Sequence, residues 1–358
     1  MMKRLILPLA VLLILLPFLA AAPHASRAQE DAFTYRCTVG PETWMRECPH
    51  WAGCAPIYWY SHNTILFVKD TVTGDRNAGT NEWLLIEDPV QHNEGYVHSS
   101  MTTECTPEAW QLLPVVPEVT NTARDIYQRG QELGTDPTRF SKVGDCQNVS
   151  AYFLSSFDTP LQYDLGDYEH LQSTIDQFAG SFSRDSAAVE GGFTVASVLS
   201  PLWADPARCD DGETPLECEA RLHNPSIVII SMETWSRETA QPSSLYQEYL
   251  MEVVAFWIDR GVVPILATKA DNIEGDHSIN QAIVEVAATY DIPLWNFWLA
   301  AHTLPKHGLS NPELDQFHLL WGRSFYNNPD RLRDGWPVRN LTALQSLDAV
   351  WRTVTADE

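Results

Sequence analysis

Positive charge is scarce in this chain: 23 Lys and Arg stand against 47 Asp and Glu over 358 residues, for a formal net charge of −24. So acidic a surface repels phosphate backbones and offers no basic stripe from which counterions could be released, which argues against a nucleic-acid partner. Charged residues of both signs make up only 20%, whereas 44% are apolar and 13 are Trp, so the chain reads as globular with at least one sizeable core. Beyond Ala22 there is no apolar run long enough to span a bilayer. Compact metal-ligand spacings are also missing. His277, His302, His307 and His318 form no His-x-x-x-His pattern and are read as solvated loop histidines, so neither a metal nor a cofactor is expected.

What is present begins with an address. Lys3 and Arg4 precede an apolar run from Leu5 to Ala22 that is interrupted by Pro8 and Pro17, and Ser26-Arg27-Ala28 offers a small-x-small cleavage site. Residues 1–28 are therefore read as a secretory signal, with an uncleaved anchor as the rival. The expected location is the cell envelope or the exterior, without stable membrane insertion after cleavage. In that oxidising setting the seven cysteines should pair. Cys37, Cys48, Cys54 and Cys105 can form two bridges in any of three pairings, Cys209 and Cys218 can close a third, and Cys146 is the odd one left.

From 31 to 106, short alternating apolar segments such as Thr64–Val68 and Trp83–Ile86 are separated by Gly, Asn, Asp and Pro, the spacing of a small all-β barrel. The stretch from Cys37 to Cys105, ending in Gly95-Tyr96-Val97-His98-Ser99-Ser100, resembles a bacterial Src-homology-three-like domain. That resemblance implies either binding of a cell-wall or carbohydrate polymer or a spacer role. Residues 107–120, with Pro107, Pro114 and Pro117, read as a stiff linker.

From 121 to 358 strands and helices alternate. Phe140–Val143, Ser226–Ser231, Val262–Ala267 and Ile292–Trp298 read as strands; Gln147–Ser156, Leu245–Arg260 and Ile279–Tyr290 read as helices. Repeated βα units predict an α/β domain with a doubly wound parallel sheet, whose ligand chemistry lies at the carboxyl ends of the strands. Gly144-Asp145-Cys146 falls at such an end, just before a predicted helix whose dipole would lower the thiol pKa. Far downstream, Asp315-Gln316-Phe317-His318 places a carboxylate three residues before an imidazole, a spacing at which one can orient the other as a general base. Thr268-Lys269-Ala270-Asp271 looks like a guanine-reading motif. Without a Gly-x-x-x-x-Gly-Lys-Ser/Thr loop to cradle phosphates it is read instead as a polar strand end at the rim of the site. Asn148-Val149-Ser150 and Asn340-Leu341-Thr342 match glycosylation acceptors by coincidence. Trp295, Phe297, Trp298, Trp321 and Trp336 are read as core, with a sugar-stacking cleft as the rival.

The order of the two blocks, Gly-Asp-Cys near the domain start and Asp-x-x-His near its end, resembles the SGNH or GDSL hydrolase superfamily over Thr122 to about Thr355. The resemblance implies a three-layer, flavodoxin-like fold with Cys146 in the nucleophile's place, His318 as base and Asp315 as its partner. It further implies oxyanion donors from the backbone N–H groups of Cys146 and of Gly191 or Gly192. Asp145, Glu233, Trp235 and Lys269 are candidate pocket residues. Two departures stand out: the family's serine is Cys146, and Glu233-Thr234-Trp235 replaces its Gly-x-Asn block. Two functions follow. One is a secreted hydrolase of an ester on a carbohydrate, cell-wall or lipid substrate; the other is a catalytically inactive extracellular glycan- or cell-wall-binding protein on the same fold.

Overall fold

The computed structural model describes residues 33–235 and 242–356; the signal segment and its cleavage site lie outside them. Among the described residues, no helix is long and apolar enough to cross a membrane.

The first part is a seven-stranded antiparallel sheet: β1 (Thr34–Thr38), β2 (Thr43–Arg46), β3 (Pro56–Tyr60), β4 (Ile65–Asn77), β5 (Thr80–Glu87), β6 (Glu94–His98) and β7 (Thr102–Glu104). Their order is β3-β2-β6-β5-β4-β1-β7, so the pairing leaves β3 and β7 as edges and does not close a ring. Alternation decides the faces: Met45, Tyr58, Tyr60, Leu66, Val68, Leu84, Ile86 and Val97 pack together as one core. Two disulfides, Cys37–Cys105 and Cys48–Cys54, select one of the three pairings the sequence left open.

Next come α1 (Asn121–Leu133), β8 (Asp136–Gly144), β9 (Tyr163–Asp164), α2 (Gln172–Gln177), α3 (Pro215–His223), β10 (Pro225–Ser231) and α4 (Ser243–Asp259). The chain ends with β11 (Val263–Ala267), α5 (Ser278–Tyr290), β12 (Leu294–Trp295), α6 (Phe297–His302), β13 (Leu309–Asn311), β14 (Asp315–Leu319), β15 (Ser324–Phe325) and α7 (Gly335–Thr355). Strands β8, β10, β11 and β12 form a parallel sheet in the order β12-β11-β10-β8. β10, Pro-Ser-Ile-Val-Ile-Ile-Ser, is buried at every position, as a β-branched strand covered on both faces must be. A parallel bridge from Gly144 to Val189 adds a one-residue neighbour to the outer edge of β8. The chain thus steps outward from β8 and then crosses back to β10. The strand order reverses between the carboxyl ends of β8 and β10, where an open α/β sheet leaves a crevice. A third disulfide, Cys209–Cys218, ties the loop before α3 to that helix, and Cys146 is the free cysteine.

Two local expectations are corrected. Gln147–Ser156 is not an α-helix: a single 3-10 turn at Cys146–Asn148 is followed by turns. Ile292–Trp298 is not one strand, because β12 stops at Trp295 and the Asn296 side chain caps α6 by accepting from Leu299 N. Residues 107–120, read as a stiff linker, pack against α6 and its cap. Trp110 and Val115 are buried, and Asn296 donates through Nδ2 to the carbonyls of Trp110 and Leu113 and through its backbone N to that of Val115. From Ala32 onward the chain forms one compact unit. Tyr58 Oη and Arg333 Nη2 donate across it to Thr303 O and Ile57 O respectively, and Cys37, Ile65 and Phe67 join the core of the α/β part.

Candidate active site

β8 ends at Gly144, and the next four residues are fixed by side chains rather than by a helix. Asp145 is fully buried; its Oδ1 accepts from Gln147 N at 3.0 Å and its Oδ2 from Glu233 N at 2.9 Å and Thr234 N at 2.6 Å. Asn148 Nδ2 donates to Ser231 O at 2.6 Å. The Gly-Asp-Cys turn is thereby laced to the end of β10. Glycine is required at 144 because a Cβ there would collide with the Asn148 side chain and lie 2.6 Å from Ser231 O. Gly191 borders the turn, since a Cβ built on it would sit 3.9 Å from Cys146 Cβ; Gly192, with φ +87°, provides the left-handed bend beyond.

The Asp315–His318 pair forms as expected, though on β14 of a β-hairpin rather than on a helical turn. His318 Nδ1 lies 2.7 Å from Asp315 Oδ2, while Asp315 Oδ1 accepts from the backbone N–H groups of Phe317 and His318. The His318 backbone N–H is the main reason the Asp315 carboxyl titrates below its usual range. With Nδ1 engaged, Nε2 has no hydrogen-bond partner among the described residues. One contact joins the two blocks: buried Gln147 donates through Nε2 to Phe317 O at 2.6 Å. Sequence reasoning missed Gln147, and its only signal was its place between Cys146 and Asn148. Among the described residues, no hydrogen bond joins the Cys146 thiol to the His318 ring.

The electrostatics at Cys146 oppose the expectation of an acidified thiol. Burial first, then the neighbouring carboxyls of Asp145 and Glu233, push it up to about 12. A three-residue 3-10 turn has too few aligned peptide dipoles to counter them. Asp145 is itself raised by burial. Glu233 is pushed by burial to about 7, although Arg339, 2.8 Å from its Oε1, pulls the other way. Arg339 donates to Ser231 Oγ, and its guanidinium carbon lies 4.7 Å from the Phe297 ring centre, 5.1 Å from Phe153 and 5.3 Å from Trp295. Trp295, Phe297, Trp298 and Trp336 are therefore core, whereas Trp321 is exposed.

A cleft of about 900 Å³ opens at this strand edge, lined by Glu233, Thr234, Trp235, Lys269, Asp271, Glu274 and Phe317 among others. Lys269 is buried rather than a polar rim. Burial disfavours its charge, but Asp271 at 2.8 Å and Glu274 at 2.6 Å outweigh that and hold it above its ordinary pKa. Trp235 packs edge-on against Tyr246 and supplies an aromatic wall where the resembled family has an amide. His277, His302 and His307 are not solvated. They are partly buried, with His302 stacked on Trp298 at 4.2 Å and on His307 at 4.7 Å, and they line a separate cavity of about 470 Å³ beside the β-sheet. Asn148 and Asn340 are both buried and cannot carry a glycan. The three residues among the described ones that meet a metal-ligand spacing, Cys209, Glu213 and Cys218, include two that are bonded to each other.

No protein-family model and no curated protein matches the chain. Solved structures similar to it include two of low identity. The acetyl xylan esterase AlAXEase is 13% identical, covering 57% of this chain and 96% of that one at a TM-score of 0.33. Protein YxiM of Bacillus subtilis is 11% identical, covering 88% of this chain and 76% of that one at a TM-score of 0.35.

Proposed function

We propose that the chain is an exported ester hydrolase of the SGNH kind, acting on an acyl ester of a carbohydrate. The observation that carries this reading is the Gln147–Phe317 hydrogen bond, which draws the Asp315–His318 pair up to the Gly-Asp-Cys turn at the sheet's crevice. Cys146 Sγ attacks the ester carbonyl, and His318 Nε2 takes the thiol proton and returns it to the departing sugar oxygen. Water then cleaves the thioester with the same base. Asp315 holds the imidazole tautomer, and the backbone N–H groups of Cys146 and of Gly191 or Gly192 receive the oxyanion. A thiol held neutral needs that base much as a hydroxyl does. The cleft's surplus of carboxylates favours a neutral, hydroxyl-rich leaving group over an anionic one. The three disulfides fit an oxidising compartment outside the cytoplasm.

A silent glycan-binding module is the second reading, favoured by the raised Cys146 pKa and by Trp235 in place of an oxyanion donor. Purified protein with p-nitrophenyl acetate and an acetylated xylan separates them. Turnover lost in both Cys146→Ala and His318→Ala supports the hydrolase. An inactive wild type that still binds polymer supports the module.

A further inference from the structure

The outer face of the β-sheet's β3 edge carries aromatic rings that the core does not use. In β2, Thr43 and Met45 point inward and Trp44 outward; in β3, Tyr58 and Tyr60 point inward and Trp59 outward. Trp44 and Trp59 are direct cross-strand partners, with ring centres 6.4 Å apart and planes inclined by 47°. Trp44 is 41% exposed although burial of an indole is strongly favoured. Arg46, two residues further along β2 and so on the same face, holds its guanidinium carbon 5.3 Å from the ring centre of Trp51. Trp51 is 40% exposed and rests on Trp83, ring centres 4.7 Å apart.

We propose that Trp44 and Trp59, continued by Arg46 and Trp51, form a binding platform for a neutral polysaccharide of linked pyranose rings. Three considerations select that occupant. An exposed cluster of rings marks an interaction surface, and flat indole faces suit the apolar C–H faces of pyranoses, whose hydroxyls stay in water. The 6.4 Å separation with tilted planes lets one sugar unit touch both rings. The chain's charge of −24 opposes an anionic polymer, and the platform brings only one cation, Arg46. Because the sheet and the α/β part form one compact unit, a polymer held here stays at high local concentration near the cleft. The choice of a polysaccharide rests on the carbohydrate-ester reading; the platform itself does not need turnover.

Affinity electrophoresis of the full chain in gels holding neutral arabinoxylan, neutral mixed-linkage β-glucan or anionic polygalacturonate tests this, with phosphatidylcholine vesicles as a separate arm. The expected result is retardation by a neutral glycan that persists in high salt. It should weaken about tenfold or more in Trp44→Ala and in Trp59→Ala and stay unchanged in Trp203→Ala. Unaltered melting temperatures keep the variants interpretable, and p-nitrophenyl acetate turnover is followed in the same samples. Lost retardation with unchanged turnover supports the platform, and an inactive wild type that is still retarded ends the hydrolase reading alone. The platform is overturned if no neutral glycan retards the wild type, if both Trp variants bind like it, or if only polygalacturonate or vesicles are bound.

Discussion

Alkylation of Cys146 should be far slower in the folded protein than in the same chain unfolded. Burial and the carboxyls of Asp145 and Glu233 carry its thiol from an ordinary 9.0 to about 12. A thiol at about 12 leaves about a thousandfold less thiolate at any pH below 9 than one at 9.0, and the thiolate is the reacting species. The other six cysteines are bridged, so concentrated urea without reductant exposes the same single sulfur as a reference. Iodoacetamide incorporation at about pH 8, followed by mass spectrometry, should run about a thousandfold slower in the native protein. The native rate should also keep rising about tenfold per pH unit up to pH 10, whereas the unfolded chain levels off near its ordinary thiol pKa. A native rate within about tenfold of the unfolded one refutes the reasoning, because neither burial nor the two carboxyls would then be holding the sulfur neutral.

Other outcomes follow from single side chains. Lys142 is buried with only Ser150 Oγ and Phe182 O as partners, and burial lowers it from 10.5 to about 7. The unfolded chain therefore binds a proton between pH 7 and 10.5 that the folded chain rejects, so stability should climb with pH through that window by about 5 kcal/mol. Urea unfolding of Lys142→Met should lack this rise, and a parallel slope in both proteins would contradict the assignment. Gly144→Ala should lower stability by about 2 kcal/mol by pushing Asn148 and Ser231 apart, and should reduce hydrolysis with it. A variant as stable as wild type would show that the turn has room to give.

The sequence showed the α/β part most clearly where one pattern had no competitor. The β-branched run of β10 and the periodicity of α4 and α5 match their structural bounds to within two residues. The Asp315–His318 contact was visible because three residues suffice to bring the two side chains together. The thiol's environment was not. Asp145 was legible only as a pocket residue, and it is the return of the chain at Glu233 that makes that carboxyl buried and its neighbour unacidic. Apolar runs also hide their periodicity, so Phe297 and Trp298 read as strand although the Asn296 cap starts a helix there. The prolines at 107–120 signalled stiffness, but nothing local revealed that Trp110 and Val115 would be buried against α6 and its cap.

The Gln147–Phe317 bond spans 170 residues and therefore closes late. A chain that enters the oxidising compartment N-terminus first exposes Cys37, Cys48, Cys54 and Cys105 to one another before residue 146 arrives, and the two N-terminal bridges can be complete by then. Only Cys209 and Cys218 emerge while the odd sulfur is still uncovered, and they lie nine residues apart. An order of entry from the N-terminus thus removes four of the six wrong partners before the unpaired cysteine reaches the oxidising compartment.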